Sequence, residues 1–251
     1  MNALNKLAFI PLFLFIGLTS CRTHWEVNES YTGNKTLLAA NASRPDMEAI
    51  ISPYRDSLDY VMNEVLCQSA NEFIINRPES NLGNWASDVL LECARAQYNG
   101  TIDAAMFNTG GLRTALPTGN ITRGKIFELM PFDNELVLVT LPYNEVREML
   151  TYLAVKGGEP VSEIQLKIKD GTYNQVRIGN KELEERSYVI LTNDYLSNGG
   201  DKMYFFTEGR RLNRTPLDIK VRDVVIDYCR SQGKSGKSIT GIKDGRISHE
   251  N

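Results

Sequence analysis

The stretch YVILTNDYLSNGGD, residues 188–201, decides the fold and the site of this chain. Its first four residues form an apolar run typical of a buried strand, and Tyr195 and a Gly199-Gly200-Asp201 turn follow. A second stretch has the same plan, because the apolar run IDAAMF (102–107) is followed by NTGGLR (108–113). Each stretch therefore predicts a buried strand that ends in a polar turn containing glycine. The echo between the two turns is weak evidence of an internal duplication.

The rest of the sequence mixes helix and strand patterns without regular alternation. Apolar residues at helical spacing predict helices over 45–66, 81–98, 123–130, 144–155 and 220–230. Alternation on either side of Asp170-Gly171 predicts a hairpin of strands 164–169 and 173–178, and 136–141 predicts another strand. Pro53 is expected to kink the first helix or split off its first turn. Gly233 is expected to end the last helix, and Ser231–Ser238 is expected to form a mobile loop. This order predicts an α+β fold with mixed sheets.

The N-terminus has the features of a secretory signal. One basic residue, Lys6, precedes the apolar run Leu7–Leu18, which as a helix would be about 18 Å long, against roughly 30 Å for a bilayer core. The following LTSC (18–21) resembles a bacterial lipobox, which implies that Cys21 becomes the lipid-modified first residue of the mature protein. An ordinary secretory signal with an incidental cysteine is the alternative.

These features predict three parts of the chain. Residues 1–20 form a lipoprotein signal peptide, 21–44 a polar tether, and 45–251 one domain without an internal linker. The expected location is the cell envelope, with the domain held by its lipid and facing the periplasm or lying at the outer membrane or surface.

Composition excludes several kinds of function. The formal net charge is −3, so the nucleic-acid binding that basic patches support is not expected. The two histidines, His24 and His249, lie near the ends of the sequence, which argues against a catalytic triad and against the histidine-rich ligand set of a dinuclear phosphoesterase. An all-carboxylate magnesium site stays open, although no spacing singles one out. Cysteines 67, 93 and 229 match no zinc pattern, and we interpret them as buried small apolar residues, with one disulfide left open.

Two aromatic residues are candidates for binding a flat ligand. Phe132 lies in a loop between a predicted helix and strand, and Tyr195 follows a strand end. At such positions a ring need not belong to the core, although ordinary core packing is the alternative for each. Two rings of this kind can hold a purine between them, and stacking on an aromatic side chain contributes roughly 1–3 kcal/mol per base.

Polar residues in the two glycine turns complete the candidate site. Gly110 and Gly111 let the backbone approach a ligand closely, and the Asn108 amide can both donate and accept toward a base edge. Arg113 offers a guanidinium fork to a hydroxyl or phosphate oxygen. Asp201 can accept hydrogen bonds from two neighbouring ribose hydroxyls, or it can simply stabilise its turn. Together these residue types suit a nucleoside.

Taken in order, six motifs resemble the C-terminal domain of bacterial and animal 5'-nucleotidases. They are ESNLGNWASD (79–88), IDAAMFNTGGLR (102–113), GNIT (119–122), MPFDN (130–134), TNDYLSNGGD (192–201) and DGRI (244–247). The resemblance covers about residues 48–248. It implies a four-layer α/β/β/α sandwich with mixed sheets that binds the nucleoside part of a substrate, while a preceding domain carries two metals and performs hydrolysis.

The resemblance also assigns roles to particular residues. It implies base stacking by Phe132 and Tyr195, a base contact by Asn108, and ribose contacts by Arg113 and Asp201. Gly111 belongs to the same substrate-binding set. A further arginine serves the site in relatives, and Arg77 is the nearest candidate here, in an uncertain register. Three residues depart from the pattern, and their bulk or charge is expected to alter the pocket: Thr109, Glu163 and Lys202.

Three functions are compatible with these residues. The first is a split nucleotidase of nucleotide catabolism, in which this chain binds the nucleoside or nucleotide and a separate metallophosphoesterase chain supplies the divalent metals. No catalytic residue, metal site or cofactor is expected in this chain itself. The second is a membrane-tethered protein that captures nucleosides or similar solutes without hydrolysis. The third is a degenerate domain that serves only as an interaction scaffold.

Overall fold

The computed structural model describes residues 33–34, 45–207 and 212–250. The predicted signal peptide, Cys21 and, apart from residues 33–34, the predicted tether lie outside the described residues. From Ala49 onward the described chain packs into one unit. No helix of the described part is long and apolar enough to cross a membrane.

Six helices and twelve strands make up the described chain. The helices are α1 Pro45–Met62, α2 Asn81–Gln97, α3 Arg123–Leu129, α4 Tyr143–Lys156, α5 Asp194–Ser197 and α6 Val221–Lys234. The strands are β1 Val65–Ser69, β2 Ala104–Met106, β3 Gly119–Thr122, β4 Glu135–Leu141, β5 Val161–Ser162, β6 Ile164–Lys169, β7 Thr172–Ile178, β8 Lys181–Glu182, β9 Tyr188–Asn193, β10 Asn213–Lys220, β11 Ser238–Ile239 and β12 Ile247–His249.

The central sheet has five strands in the order β10-β4-β9-β2-β5. Strands β2 and β9 run parallel, whereas β4, β10 and β5 run antiparallel to their neighbours. Both faces of this sheet are buried, because an apolar core lies on each of them. Successive side chains of a strand point to opposite faces and so enter different cores. Along β4, for example, Leu136 and Leu138 enter one apolar core, and Val137 and Val139 enter the other.

Each core is completed by a further layer of helices and a smaller sheet. The first core includes apolar residues of α2, α3 and α6 and of the three-stranded sheet β11-β1-β3. The second includes α4 and the four-stranded sheet β12-β6-β7-β8. All three sheets are mixed. This arrangement confirms the predicted α+β sandwich with mixed sheets.

Local sequence signals fix several helix ends. Ser80 caps α2, since its Oγ accepts a hydrogen bond of 2.9 Å from the backbone N–H of Gly83. Thr122 caps α3 in the same way, accepting from Lys125 N–H at 3.3 Å. At the end of α4, Gly157 adopts the left-handed conformation with φ of 72°, which glycine tolerates without a Cβ penalty.

Several predictions of local structure were wrong. The first helix ends at Met62, and Val65–Ser69, including Cys67, forms strand β1 because it pairs with β3 and β11. That helix also continues through Pro53 without splitting. Over the predicted loop 231–238, residues 231–234 form the last turn of α6, 235–236 form a short turn, and β11 begins at Ser238. Gly233 does not end that helix but lets it approach β1, since a Cβ there would lie 1.9 Å from the carbonyl oxygen of Leu66.

The three described cysteines are free thiols. Cys67 and Cys229 are buried, as predicted, and Cys93 is half-buried. The neighbouring Cys67 thiol on β1, together with burial, raises the pKa of Cys229 on α6. Burial also raises the pKa of Cys93.

Candidate functional site

The topology of the central sheet brings five loops to one edge. The parallel strands β2 and β9 both end there, and their antiparallel neighbours β4 and β5 begin there. Strand β10 also ends at this edge, since Lys220 pairs with Glu135, the first residue of β4. Residues that follow β2, β9 and β10 and residues that precede β4 and β5 therefore lie close together, although they are far apart in sequence.

A hydrogen-bonded group joins the two glycine turns at this edge. The Nδ2 of Asn108 donates to Oδ2 of Asp201 at 2.6 Å, and the Tyr195 hydroxyl donates to Oδ1 of the same carboxylate at 2.9 Å. Asn108 is buried, with 7% of its surface exposed, whereas Asp201 is exposed and the Tyr195 side chain is 48% exposed. Three of the predicted residues thus form one cluster with an open face.

Glycines allow the close packing of this cluster. A Cβ at Gly111 would lie 3.0 Å from Oδ1 of Asn108, and one at Gly200 would lie 2.5 Å from the ring of Tyr195. At these glycines, the groups that the backbone approaches closely are therefore side chains of the site itself, Asn108 and Tyr195. Asp201 itself has a positive φ of 53°, as short polar residues tolerate, and this turns its carboxylate toward Asn108 and Tyr195.

Phe132 borders a narrow, mostly apolar cleft beside this cluster. Its ring is 48% exposed in the loop between α3 and β4, and the cleft wall also includes Asn108, Gly111 and Phe107. Asn108 therefore belongs both to the cleft of Phe132 and to the hydrogen-bonded group of Tyr195. The structure therefore places the two predicted rings on neighbouring loops. Asn108 lines the cleft beside one ring and belongs to the hydrogen-bonded group of the other.

The loop of Phe132 is held by a residue that sequence reasoning missed. Arg222, in the first turn of α6, donates to the carbonyl oxygens of Met130 (3.2 Å) and Phe132 (3.4 Å) and pairs with the carboxylate of Asp133. Its guanidinium carbon lies 4.2 Å from the ring centroid of Phe127. Arg222 is only 9% exposed, and these partners compensate its buried positive charge. No local motif marks it, because its partners lie about 90 residues earlier.

Arg77 and Thr109 meet at Glu159, a second residue that the sequence analysis missed. Glu159 is 8% exposed and precedes β5. One of its oxygens accepts from Arg77 at 2.9 Å, and the other accepts from the backbone N–H and the hydroxyl of Thr109 at 2.7 and 2.6 Å. Arg77 is thus linked through Glu159 to the turn that follows Asn108. The Thr109 hydroxyl is likewise turned toward Glu159.

The remaining predicted residues differ in their distance from the cluster. Arg113 is exposed, and its Nη1 donates to the carbonyl oxygen of Gly110 at 3.2 Å, so it lies on the rim of the same turn. Lys202 is exposed beside Asp201, with φ of 64°. Glu163 instead pairs with Arg95 at 3.0 Å and lines a different cleft, so it does not narrow the cleft of Phe132.

Tyr152 of α4 supports the Asp201 turn from the other side. Its hydroxyl donates to the backbone carbonyl oxygen of Asp201 at 3.0 Å. Burial, reinforced by the charges of Glu159 and Asp201, raises the pKa of Tyr152 to about 12. The phenol therefore remains a protonated donor throughout the physiological pH range.

Two of the six sequence motifs form a structural clasp away from this edge. Arg246 of DGRI binds both oxygens of Asp88 at 2.8 and 2.9 Å and both oxygens of Asp244 at 2.9 and 2.7 Å. Glu79 of ESNLGNWASD accepts from the backbone N–H groups of Asp244 and Gly245. The bond with Arg246 lowers the pKa of Asp244 to about 2. These motifs tie the C-terminal segment to α2.

This edge offers two aromatic rings, an amide, a carboxylate and, on its rim, a guanidinium group. Over residues 45–207 and 212–250 there is no group of three or more His, Cys, Asp or Glu residues that could hold a metal ion. The dinuclear metal centre expected of a catalytic half therefore does not fit the described residues.

Comparison with known proteins identifies the family. Residues 64–208 match the family described as 5'-nucleotidase, C-terminal domain. Because the match covers more than half of the chain, this chain belongs to that family, as its six motifs predicted.

Related proteins are longer than this chain. It is 26% identical over 235 residues to the trifunctional nucleotide phosphoesterase protein YfkN of Bacillus subtilis, covering 81% of this chain and 15% of YfkN. It is 26% identical over 165 residues to a 5'-nucleotidase of Vibrio parahaemolyticus, covering 60% of this chain and 28% of that protein. The chain spans less than half the length of these relatives.

Solved structures show the same fold. The 5'-nucleotidase precursor of Thermus thermophilus superposes with a TM-score of 0.68 at 25% identity, covering 82% of this chain and 43% of that one. The NAD nucleotidase of Haemophilus influenzae gives a TM-score of 0.58 at 16% identity, covering 83% and 42%. The second likeness concerns the fold alone.

Proposed function

We propose that this chain is the nucleoside- or nucleotide-binding part of a 5'-nucleotidase-type hydrolase in nucleotide catabolism. The observation that carries the proposal is the convergence of Asn108, Phe132, Tyr195 and Asp201 on one sheet edge of a domain of this family. Relatives named as 5'-nucleotidases and nucleotide phosphoesterases support a nucleotide as the ligand.

The arrangement suits a nucleoside in two respects. The exposed rings of Phe132 and Tyr195 offer stacking faces for a base, each contributing roughly 1–3 kcal/mol. Each oxygen of Asp201 accepts one internal hydrogen bond, and a carboxylate oxygen can accept two. Two acceptor positions therefore remain for two neighbouring ribose hydroxyls, and Arg113 on the rim can reach a hydroxyl or phosphate oxygen. After the cost of immobilising the ligand, we expect affinities on the order of micromolar to millimolar.

We propose that hydrolysis depends on a separate metallophosphoesterase chain, which supplies the two metals. The lack of a metal-ligating cluster among the described residues supports this division of labour. This chain would contribute recognition and orientation of the nucleoside, and the partner would contribute the metal-activated attack on the phosphate.

We also propose that Cys21 carries a lipid that holds the domain in the cell envelope. The support is the LTSC sequence at the end of a short apolar run. Labelled palmitate should be incorporated into the wild-type chain in cells and not into Cys21→Ser. Equal labelling of both proteins would remove the anchor from the proposal.

Calorimetric titration tests the binding site. Adenosine, AMP and UDP-glucose are titrated into the purified protein and into Phe132→Ala/Tyr195→Ala, with Tyr60→Ala on the distant helix α1 as the control. We expect binding by wild type and by the control, and a loss of about 100-fold or more in the double variant. Binding that is unchanged in the double variant would exclude this edge as the site.

A reconstitution assay tests the division of labour. Any metallophosphoesterase chain encoded beside this one is added with divalent metal, and phosphate release from AMP is measured. We expect release to need both chains and to fall when Phe132 and Tyr195 are replaced. If no added metallophosphoesterase chain raises phosphate release while adenosine still binds, the second candidate function is favoured. In that function the chain is a tethered protein that captures nucleosides without hydrolysis. That candidate rests on the same lack of a metal-ligating cluster in the described chain.

A further inference from the structure

Helix α1 exposes a concentrated apolar surface. None of its residues is buried, and seven of the fifteen large apolar side chains exposed in the described chain lie on it. Within the unit that begins at Ala49, the exposed fractions are 42% for Ile51, 77% for Tyr54, 55% for Leu58 and 45% for Val61. Single exposed apolar residues are ordinary, but a contiguous stripe marks an interaction surface.

The spacing of these four residues is that of a helix pair. Ile51, Tyr54, Leu58 and Val61 follow one another at intervals of three, four and three, the a and d positions of a heptad. We name them the α1 seam. Pro53 falls at position c, outside the seam, so its ring does not interrupt it. Such a seam packs against another helix at about 20°, with each side chain entering a hole on the partner.

We propose that the α1 seam pairs with the α1 seam of a second copy of this chain, as a short parallel two-stranded coiled coil. The seam is self-complementary, because a twofold axis along the pair sets Ile51, Tyr54, Leu58 and Val61 each against its own copy. Together with the flanking Ile50, two such seams bury on the order of 1,000 Å² of surface, which is the lower bound for a specific interface.

Charge selects the parallel orientation. In the parallel pair, Arg55 at position e lies beside Ile50 of the other copy at position g, where its aliphatic stem covers apolar surface. An antiparallel pair that matches all four seam layers would instead set Arg55 against Arg55 of the other copy, and like charges in contact repel.

Sedimentation equilibrium of the full chain tests the interface. We expect a reversible monomer–dimer equilibrium with a Kd on the order of micromolar. Ile51→Glu/Leu58→Glu should raise that Kd about 100-fold or more, since it places charges in the apolar seam. Tyr60→Glu, on the opposite side of the same helix, should change it less than about twofold. Circular dichroism checks that each variant keeps its helix.

Disulfide trapping tests the orientation. Val61→Cys, oxidised with diamide, should form a covalent dimer in the parallel pair, where the two residues at 61 are neighbours. In an antiparallel pair they would be about 15 Å apart along the axis, and Ile51→Cys would instead trap Val61→Cys in a mixed sample. A monomer at all concentrations, or a dimer that survives Ile51→Glu/Leu58→Glu, overturns the proposal and leaves the seam to another polypeptide. Trapping of 51 to 61 overturns the parallel orientation.

Discussion

Asn108 donates a hydrogen bond of 2.6 Å from its Nδ2 to Oδ2 of Asp201, 93 residues further along the chain. This bond connects the turn after β2 to the turn after β9. The two strands are parallel neighbours in the central sheet, so their ends meet although the sequence separates them. The carboxylate thereby becomes a fixed part of the site, rather than a solvated side chain of a glycine turn.

The first prediction concerns this carboxylate. Asp201→Ala should weaken adenosine binding about 10- to 100-fold, because it removes a charged acceptor from the ribose hydroxyls. Asp170→Ala is the matched control, since Asp170 also lies in a turn with a positive φ, 48°, and belongs to the distant hairpin of β6 and β7. Calorimetry measures both. If both variants lost the same adenosine affinity, the loss at Asp201 would come from disturbing a turn and not from removing a ligand contact.

The second prediction concerns the packing of Tyr195 against Gly200. Gly200→Ala places a Cβ 2.5 Å from the ring in its present position, so the ring must move and its bond to Asp201 is disturbed. We expect a loss of stability of about 1–3 kcal/mol and adenosine binding about tenfold weaker. Gly33→Ala, where a Cβ meets no atom within 4 Å, is the control and should change neither quantity. Unchanged binding by Gly200→Ala would mean that the position of the Tyr195 ring does not matter.

Local sequence signals predict the positions of several of these residues. An apolar run followed by a ring and a glycine turn places Tyr195 at a strand end, and the loop between a helix and a strand leaves Phe132 exposed. The capped helix α2 and the hairpin at Asp170 follow from equally local patterns. Each of these features is set by residues within a few positions of one another.

The residues that the sequence does not reveal act over long distances. Glu159 holds Arg77 and Thr109, which lie 82 and 50 residues away, and no spacing indicates such a contact. The sequence predicts helix at β1 because Val65 continues the apolar period of α1, and only pairing with β3 and β11 makes this segment a strand. The sequence also predicts a helix end at Gly233, whereas this glycine lies within α6 and permits its close approach to β1.

The third prediction concerns Arg222 and the Phe132 loop. Arg222→Met should lower the free energy of unfolding by about 2–4 kcal/mol, since it leaves Asp133 and two carbonyl groups without their donor. Amide exchange at residues 130–134 should quicken, and adenosine should bind more weakly. Arg230→Met, on the same helix, breaks the ion pairs with Glu64 and Asp227 at the surface and should cost less than about 1 kcal/mol. If Arg222→Met and Arg230→Met lost the same stability, and amide exchange at residues 130–134 did not change, Arg222 would not be the residue that holds the Phe132 loop.

The last prediction concerns the acid sensitivity of the clasp between α2 and the C-terminal segment. The bond with Arg246 lowers the pKa of Asp244 from 3.8 in the unfolded chain to about 2 in the folded chain. The charged carboxylate therefore stabilises the fold fully above about pH 4, and this contribution is lost as the pH falls toward 2. Urea unfolding should show Asp244→Asn less stable than wild type at pH 6, with the difference shrinking below pH 4. In the Arg246→Met background the same substitution should have little further effect, because its partner is gone. A difference that stays constant from pH 6 to pH 2 would rule out the charge of Asp244 as its source.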